Sequence, residues 1–388
     1  MPPQFDLLPY SSLNWKGRRI LMRVDCNVPF SANGDISNDF RLRALLPSLR
    51  FFLENHCSLV LISHLALKEG AQLKKCADRL QEELDLPVVF VPHRDSLEEQ
   101  LQTVPQAPLV LLDNLRLHPG EEKNDLLFAK SLSCLGDLFL NEALSCSHRK
   151  HASIVSLPTY FVGCCGIGPL FLKELESLHC LKESPLRPRC AIVGGAKLKT
   201  KIPLIKSLKE WADEIILVGQ TANAFLHILH NTSSLSEEDA PLLNDVLSII
   251  EGFPSLILPV DGIVQEGDAL KIVQASQIGP TDNFLDLGPQ SITIIQNRLK
   301  DQKTIFWNGP AGQFEQKEFS KGTLEIARCL ANTQAQTFIA GGDTIFAAHK
   351  AGVANKIEHF LSGGGASLTF FQEGSLPGIR ALEMCIGE

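Results

Sequence analysis

Residues 189–201 read RCAIVGGAKLKTK. An apolar run comes first, of the right length for one buried strand and too short for an ordinary helix. Gly194 and Gly195 follow, then a lysine-rich stretch leading into KIPLIKSLKEWAD (201–213), whose apolar residues recur at helical spacing. Strand, glycine turn and helix form the unit that repeats in a parallel sheet covered by helices on both faces.

The same unit recurs outward from this stretch in both directions. Toward the C-terminus the strand-like runs are EIILVG (214–219), SLILPVD (255–261), TIFWNG (304–309), TFIAGG (337–342) and IEHFLSGGG (357–365). Toward the N-terminus they are DLFLNE (137–142), PLVLLDN (108–114), SLVLISH (58–64) and RILMRV (19–24). Helical patterns lie between them, among them 41–55, 74–85 and 319–333. Ten strands exceed one comfortable open sheet, so the reading is α/β with two three-layer domains and parallel sheets. The 388 residues agree, at roughly 150 per domain. The boundary is expected near the Pro/Gly-rich residues 152–172, with a connecting helix over 173–183.

Residues 152–172 carry no charge and approach membrane-spanning length. Pro158, Gly163, Gly166, Gly168 and Pro169 interrupt them, so they read as a buried connection between domains. Thirty-six Lys and Arg against 44 Asp and Glu give a net charge of −8. That excludes a general nucleic-acid binder and leaves room for a local basic pocket. Eleven cysteines without a C-x-x-C pair read as reduced thiols of a cytosolic protein. The N-terminus has no basic region followed by an apolar run, so no signal peptide is expected.

Ligands of open α/β sheets bind beyond the carboxyl ends of the strands. In the first half those ends carry Asp25, Asn27, His64, Arg116, His148 and Arg149, with Arg41 nearby. Arginines and hydrogen-bonding groups suit a small anionic metabolite. In the second half they carry Gly194, Gly195 and Lys197, then Asn308 and Gly309, then Gly341, Gly342 and Asp343, then Gly363, Gly364 and Gly365. Backbone amides at helix starts suit a polyphosphate. Two different ligands on two domains are the layout of a phosphoryl-transfer enzyme.

Lys197 and Lys201, four apart, are expected on one helix face, where they can neutralise a transferring phosphoryl group. Asp343 beside phosphates points to Mg²⁺, and Glu315 in WNGPAGQFE (307–315) to ribose hydroxyls. Each feature also has a plainer reading. GGAKLKTK (194–201) is then a turn with solvated lysines, Asp343 an N-cap, WNGPAGQFE a simple loop, and any one arginine a surface charge. His148 and His151 sit three apart with no further ligand set, which disfavours a structural metal site. The spacing of GCCGIG (163–168) is not that of a dinucleotide fingerprint, and GGAKLKTK is not a Walker A loop.

The ordered series RVDCNVP (23–29), SHL (63–65), NLRLHP (114–119), HRKHAS (148–153), RCAIVGGAK (189–197), LPVD (258–261), LDLGP (285–289), WNGPAGQFE, GGDT (341–344) and SGGGAS (362–367) followed by LPG (376–378) resembles the phosphoglycerate kinase family nearly end to end. The resemblance implies two Rossmann-like domains joined by a hinge helix. Residues 1–168 would bind 3-phosphoglycerate, with the tail from about 368 to 388 packed back on them. Residues 169–367 would comprise the interdomain helix and the nucleotide-binding domain.

It further implies reversible transfer between 1,3-bisphosphoglycerate and MgADP, as in glycolysis, by a cytoplasmic monomer with no nucleic-acid or membrane partner. Asp25, Asn27, Arg41, His64, Arg116 and Arg149 look like the 3-phosphoglycerate site. Gly195, Lys197, Lys201, Asn308, Glu315, Gly341, Gly342, Asp343 and Thr344 look like the ATP/ADP site, with Asp343 at the metal. Gly364 and Gly365 would lend amides on closure, and Arg41, Lys197 and Lys201 would carry catalysis.

Departures from the family pattern cluster at the site. Leu67 stands where a substrate-binding arginine is usual, with Lys68 beside it. Lys199 and Thr200 replace a small residue and an aspartate; Gln220 and Ala340 replace glycines. The loss at Leu67 is expected to weaken 3-phosphoglycerate binding by roughly 10- to 150-fold. A paralogue that binds without turnover and a kinase for another small acid stand beside the main reading.

Overall fold

The computed structural model describes residues 7–31, 33–66, 73–183, 186–232, 238–253 and 255–386. The chain divides into two compact units: Met1–Glu176 with Glu373–Glu388, and Ser177–Gln372.

The first unit holds strands β1 (Arg19–Arg23), β2 (Ser58–Ile62), β3 (Val89–Val91), β4 (Leu109–Leu112), β5 (Leu138–Asn141) and β6 (Cys165–Ile167). They form one parallel sheet in the order β3-β4-β2-β1-β5-β6. Every residue of β4 and β5 is buried, the signature of a sheet covered on both faces. Leu42, Leu45, Leu49 and Phe52 of the helix Phe40–Glu54 pack with Ile20, Met22, Leu59 and Leu61 from the strands. Each aliphatic side chain buried in this way contributes about 1.5–3 kcal/mol. The helix Pro377–Glu383 also belongs to this unit, and the amide of Gly378 donates to the carbonyl of Ser147 at 2.9 Å.

The second unit contains β7 (Arg189–Val193), β8 (Glu214–Leu217), β9 (Leu256–Ile257), β10 (Asp261–Glu266), β11 (Ala269–Gln274), β12 (Asp286–Leu287), β13 (Thr304–Asn308), β14 (Gln336–Ala340) and β15 (His359–Leu361). Its parallel sheet has the order β15-β14-β13-β7-β8-β9. Strands β10, β11 and β12 make a separate antiparallel sheet that the reading of parallel sheets alone leaves out. In β10 and β11 the solvent-facing polar residues interrupt any continuous apolar run.

Both parallel sheets reverse their winding at one place. In the first, the chain leaves β1 toward β2 and β5 toward β6, on opposite sides; in the second, β7 and β13 diverge likewise. A crevice forms at the carboxyl ends of such strand pairs. Residues 152–168 lie within the first unit, and residues 169–172 begin the helix Pro169–Glu183, in which the chain passes from one unit to the other. The first of these stretches supplies the 3₁₀ turn Leu157–Tyr160 and the edge strand β6. No helix among the described residues is long and apolar enough to cross a membrane.

Candidate functional site

In the first unit the reversal lies between β1 and β5, and a hydrogen bond joins the loops that follow them. Ser145 Oγ donates to Asp25 Oδ2 at 2.5 Å. The other carboxylate oxygen of Asp25 accepts from the Asn27 amide at 3.0 Å. Arg41, on the first turn of its helix, places Nε 3.3 Å from Asp25 Oδ2 and donates through Nη1 to the Asn27 carbonyl. Burial pushes the Asp25 pKa up. Arg41, the Ser145 hydroxyl and the Asn27 amide outweigh it and hold the carboxyl at about 2. Asn27 in turn accepts from the Ala66 amide at 3.0 Å, tying the loop after β1 to the loop after β2.

His64 sits in that second loop and is buried. Arg23 Nη2 approaches its Nδ1 at 3.2 Å, and a guanidinium offers only donors, so Nδ1 accepts and Nε2 carries the proton. Burial, followed by the neighbouring Arg23, drives the His64 pKa well down, and the ring is neutral near pH 7. Arg23 is itself fully buried; it donates to Ser153 Oγ at 2.8 Å and to the Val24 carbonyl. Ser153 Oγ passes a hydrogen bond to Glu121 Oε1 at 2.6 Å. This chain of partners fixes the ring from beneath.

Arg116 follows β4, with Nε 3.6 Å from Glu122 Oε1. Its Nε and Nη2 are buried and have no hydrogen-bond partner. Burial and the nearby Arg149 both lower the Arg116 pKa, because a second cation disfavours the charged form. His148 and His151 are both held at about 4, by burial first and then by the arginines. Arg116 with its unmet donors, beside Arg149, neutral imidazoles and one hydrogen-bonded carboxylate, suits an oxyanion that also carries hydroxyl groups. Leu67 and Lys68 lie outside the described residues.

In the second unit the reversal lies between β7 and β13. A cavity of about 430 Å³ opens there, lined by Gly195, Lys197, Thr200, Lys201, Asn308, Gly341, Gly342, Asp343, Thr344, Gly364 and Gly365, among others. The helices Leu198–Trp211, Gly342–Lys350 and Gly364–Glu373 begin at its wall, presenting amides and the positive ends of their dipoles. Gly309 makes the close turn possible. Its φ is +100°, and a Cβ there would stand 2.1 Å from the Gly194 carbonyl oxygen. Trp307, fully buried, anchors the same turn by donating from Nε1 to the Gly309 carbonyl at 2.8 Å.

Lys197 does not share a helix face with Lys201. Its backbone is extended at the N-cap position, whereas Lys201 lies on the first turn. The glycine turn delays the helix, yet both lysines line the cavity. Lys201 Nζ donates to Asn308 Oδ1, and Asn308 Nδ2 donates to the Ala340 carbonyl at 2.9 Å. Burial lowers the Lys201 pKa to about 8 against the opposing pull of Asp343. Thr344 Oγ1 accepts from the Gly309 amide at 2.8 Å, so its hydroxyl braces the turn.

Asp343 is the second residue of its helix. Gly341 holds the cap position, and no side chain makes a cap hydrogen bond there. Asp343 is the single carboxylate lining the cavity, and no group of three or more metal-ligating side chains exists among the described residues. That donor set fits Mg²⁺, which takes one or two protein carboxylates and completes its shell with phosphates and water.

Glu315 does not line this first cavity. It lines an adjoining cavity of about 360 Å³ with Gln220, Phe284, Leu285, Gly312 and Gln313; the two cavities share Gly195, Ala196, Pro310 and Asp343. Lys199 is exposed, and Thr200 folds its hydroxyl back onto the Lys197 carbonyl at 2.8 Å. Ala340 is buried at the end of β14. Sequence reasoning missed Ser145, Ser153, Glu121 and Arg23. Only Arg23 gave a signal: an arginine inside RILMRV, where a buried strand otherwise carries apolar residues.

The phosphoglycerate kinase family model matches residues 10–374. A phosphoglycerate kinase from Thermosynechococcus vestitus is 38% identical over 390 residues, covering 96% of this chain and 97% of the relative. One from Pelotomaculum thermopropionicum is 38% identical over 382 residues, with 95% and 96% covered. Among solved structures, phosphoglycerate kinase from Pyrococcus horikoshii superposes with a TM-score of 0.87 at 26% identity, covering 98% of this chain and 99% of that one. The Coxiella burnetii enzyme gives 0.77 at 30% identity, with 97% and 99% covered. Sequence and fold agree along both units, and the chain belongs to the phosphoglycerate kinase family.

Proposed function

We infer that the chain is a working phosphoglycerate kinase, transferring a phosphoryl group reversibly between 1,3-bisphosphoglycerate and ADP. The observation that carries this reading is the pairing of family membership with a lysine- and amide-walled cavity of about 430 Å³ on one unit and, on the other, Arg116 with unmet donors near Arg149. In the direction of ATP use, the bond between the γ-phosphorus and the β,γ-bridging oxygen breaks. A carboxylate oxygen of 3-phosphoglycerate forms the new bond to phosphorus. No covalent enzyme intermediate is required; positioning and charge neutralisation supply the catalysis.

In this reading the first unit binds the acid and the second binds the nucleotide. Arg116 and Arg149 hold the phosphate end of 3-phosphoglycerate, while Asp25, Asn27 and the Nε2–H of His64 meet its hydroxyl and carboxylate. Lys197, Lys201 and the amides at Gly341, Gly342, Gly364 and Gly365 neutralise the nucleotide phosphates, and Arg41 and Lys197 act on the moving group. Asp343 would hold Mg²⁺, which when bound supplies further neutralisation at the phosphate oxygens. Glu315 receives the ribose hydroxyls. The proposal extends to a cytoplasmic monomer.

Turnover of MgATP across a panel of small acids tests the substrate. 3-Phosphoglycerate should be the best acceptor, ahead of 2-phosphoglycerate, glycerate and acetate. A higher kcat/KM for any of these would assign the chain to another acid.

A further inference from the structure

The second cavity carries a polar device at Gln220, on the first turn of the helix Gly219–Leu229. Asn223, fully buried, makes two hydrogen bonds with the backbone of Phe284: its Oδ1 accepts from the amide at 3.0 Å and its Nδ2 donates to the carbonyl at 3.1 Å. Backbone groups cannot exchange donor for acceptor, so this pair fixes which way the Asn223 amide points. The remaining N–H of Asn223 Nδ2 donates to Gln220 Oε1 at 3.1 Å. Gln220 Nε2 in turn donates to Asn283 Oδ1 at 3.3 Å. A reversed Gln220 amide would set donor against donor at Asn223. The polarity of the Gln220 side chain is therefore dictated by the main chain of Phe284.

A side-chain amide has two N–H groups and two acceptor lone pairs, so Gln220 keeps one of each after these bonds. Gln220, exposed on the first turn of the helix Gly219–Leu229, lines the cavity beside the apolar Phe284 and Leu285, and neither Lys197 nor Lys201 lines it. The cavity thus offers apolar side chains for a planar ring and, from Gln220, one further donor and one further acceptor on an amide whose orientation Asn223 sets.

We propose that Gln220 is a specificity-determining residue that selects a 6-aminopurine nucleotide over a 6-oxopurine one. The proposal rests on the kinase reading above and deepens it. The amide pair complements the amino hydrogen at N6 of adenine together with the adjacent ring nitrogen. Guanine presents an oxygen at the same place, which would face Gln220 Oε1. Because Asn223 forbids the amide flip that would accommodate it, the mismatch persists.

The purified chain should bind ADP at least about tenfold more tightly than GDP by calorimetry. With 3-phosphoglycerate, its kcat/KM should favour ATP over GTP by a similar ratio, expressed in KM with kcat little changed. Gln220→Ala and Gln220→Gly should both bring the ratios toward one, chiefly by weakening the adenine nucleotide. Equal binding of ADP and GDP by the unaltered chain, or a preference that survives both substitutions, would overturn the proposal. The binding comparison needs no turnover. Selective ADP binding without transfer would thus remove the kinase reading while leaving the role of Gln220 intact.

Discussion

Replacing Lys201 with alanine is expected to lower kcat for ATP and 3-phosphoglycerate by two to three orders of magnitude. The ammonium is mostly buried, donates to Asn308 Oδ1 and lines the cavity formed by the strand ends and three helix starts. A fixed donor aimed at developing charge in such a setting is worth about 10²–10³ in rate. The same residue sets a pH limit. Its pKa is lowered from 10.5 to about 8 by burial, so the unliganded enzyme loses this charge as pH rises through about 8. The kcat/KM for ATP should fall along that limb. Lys201→Arg, whose guanidinium stays protonated, should retain part of the activity and lose the limb. A Lys201→Ala enzyme within threefold of the parent would mean that this cavity does not hold the transferring phosphate.

The second large effect concerns stability. Arg23→Met should destabilise the first unit by about 3–5 kcal/mol. Three hydrogen bonds vanish together, and Ser153 Oγ, the Val24 carbonyl and His64 Nδ1 lose a buried donor at once. Methionine fills much of the volume, so the loss reads as polar dissatisfaction more than as a cavity. Because the chain has two units, one global unfolding energy is a poor measure. Amide hydrogen exchange resolves them. Leu21 and Leu61 in β1 and β2 should lose protection, while Ala191 in β7 keeps it. Unchanged protection at Leu21 would show that the Arg23 network stores little stability. Uniform loss in both units would deny that it is local.

Much of the fold is legible in the sequence because parallel strands buried on both faces are nearly pure apolar runs. The stretches around β1, β2, β4, β5, β7, β8, β13 and β14 show this directly. Strands β3 and β6 escape notice; they are short, and no glycine-rich turn follows them as one follows the equally short β15, while they pair with β4 and β5. The antiparallel strands β10 and β11 are half exposed and mix polar with apolar residues. Positions at strand ends pointed to most of the candidate site, because chemistry gathers where the winding reverses. What the sequence withheld is the hydrogen-bond wiring between distant loops. Ser145 meets Asp25 across 120 residues, and Arg23 meets Ser153 across 130. The misjudged geometry of Lys197 has a local origin: Gly194 and Gly195 postpone the helix, which a four-residue spacing cannot reveal.

ADP formation from MgATP and 3-phosphoglycerate by the purified chain, measured beside Lys197→Ala, decides whether this protein is a working kinase. The acyl phosphate product must be drained by a coupled reaction, since its high transfer potential opposes accumulation. ADP release should depend on 3-phosphoglycerate and fall at least about tenfold when Lys197 is lost, as expected for one charge neutralising the transferring group. No release, with both ligands still binding, would show a fold kept for recognition and would contradict the kinase reading.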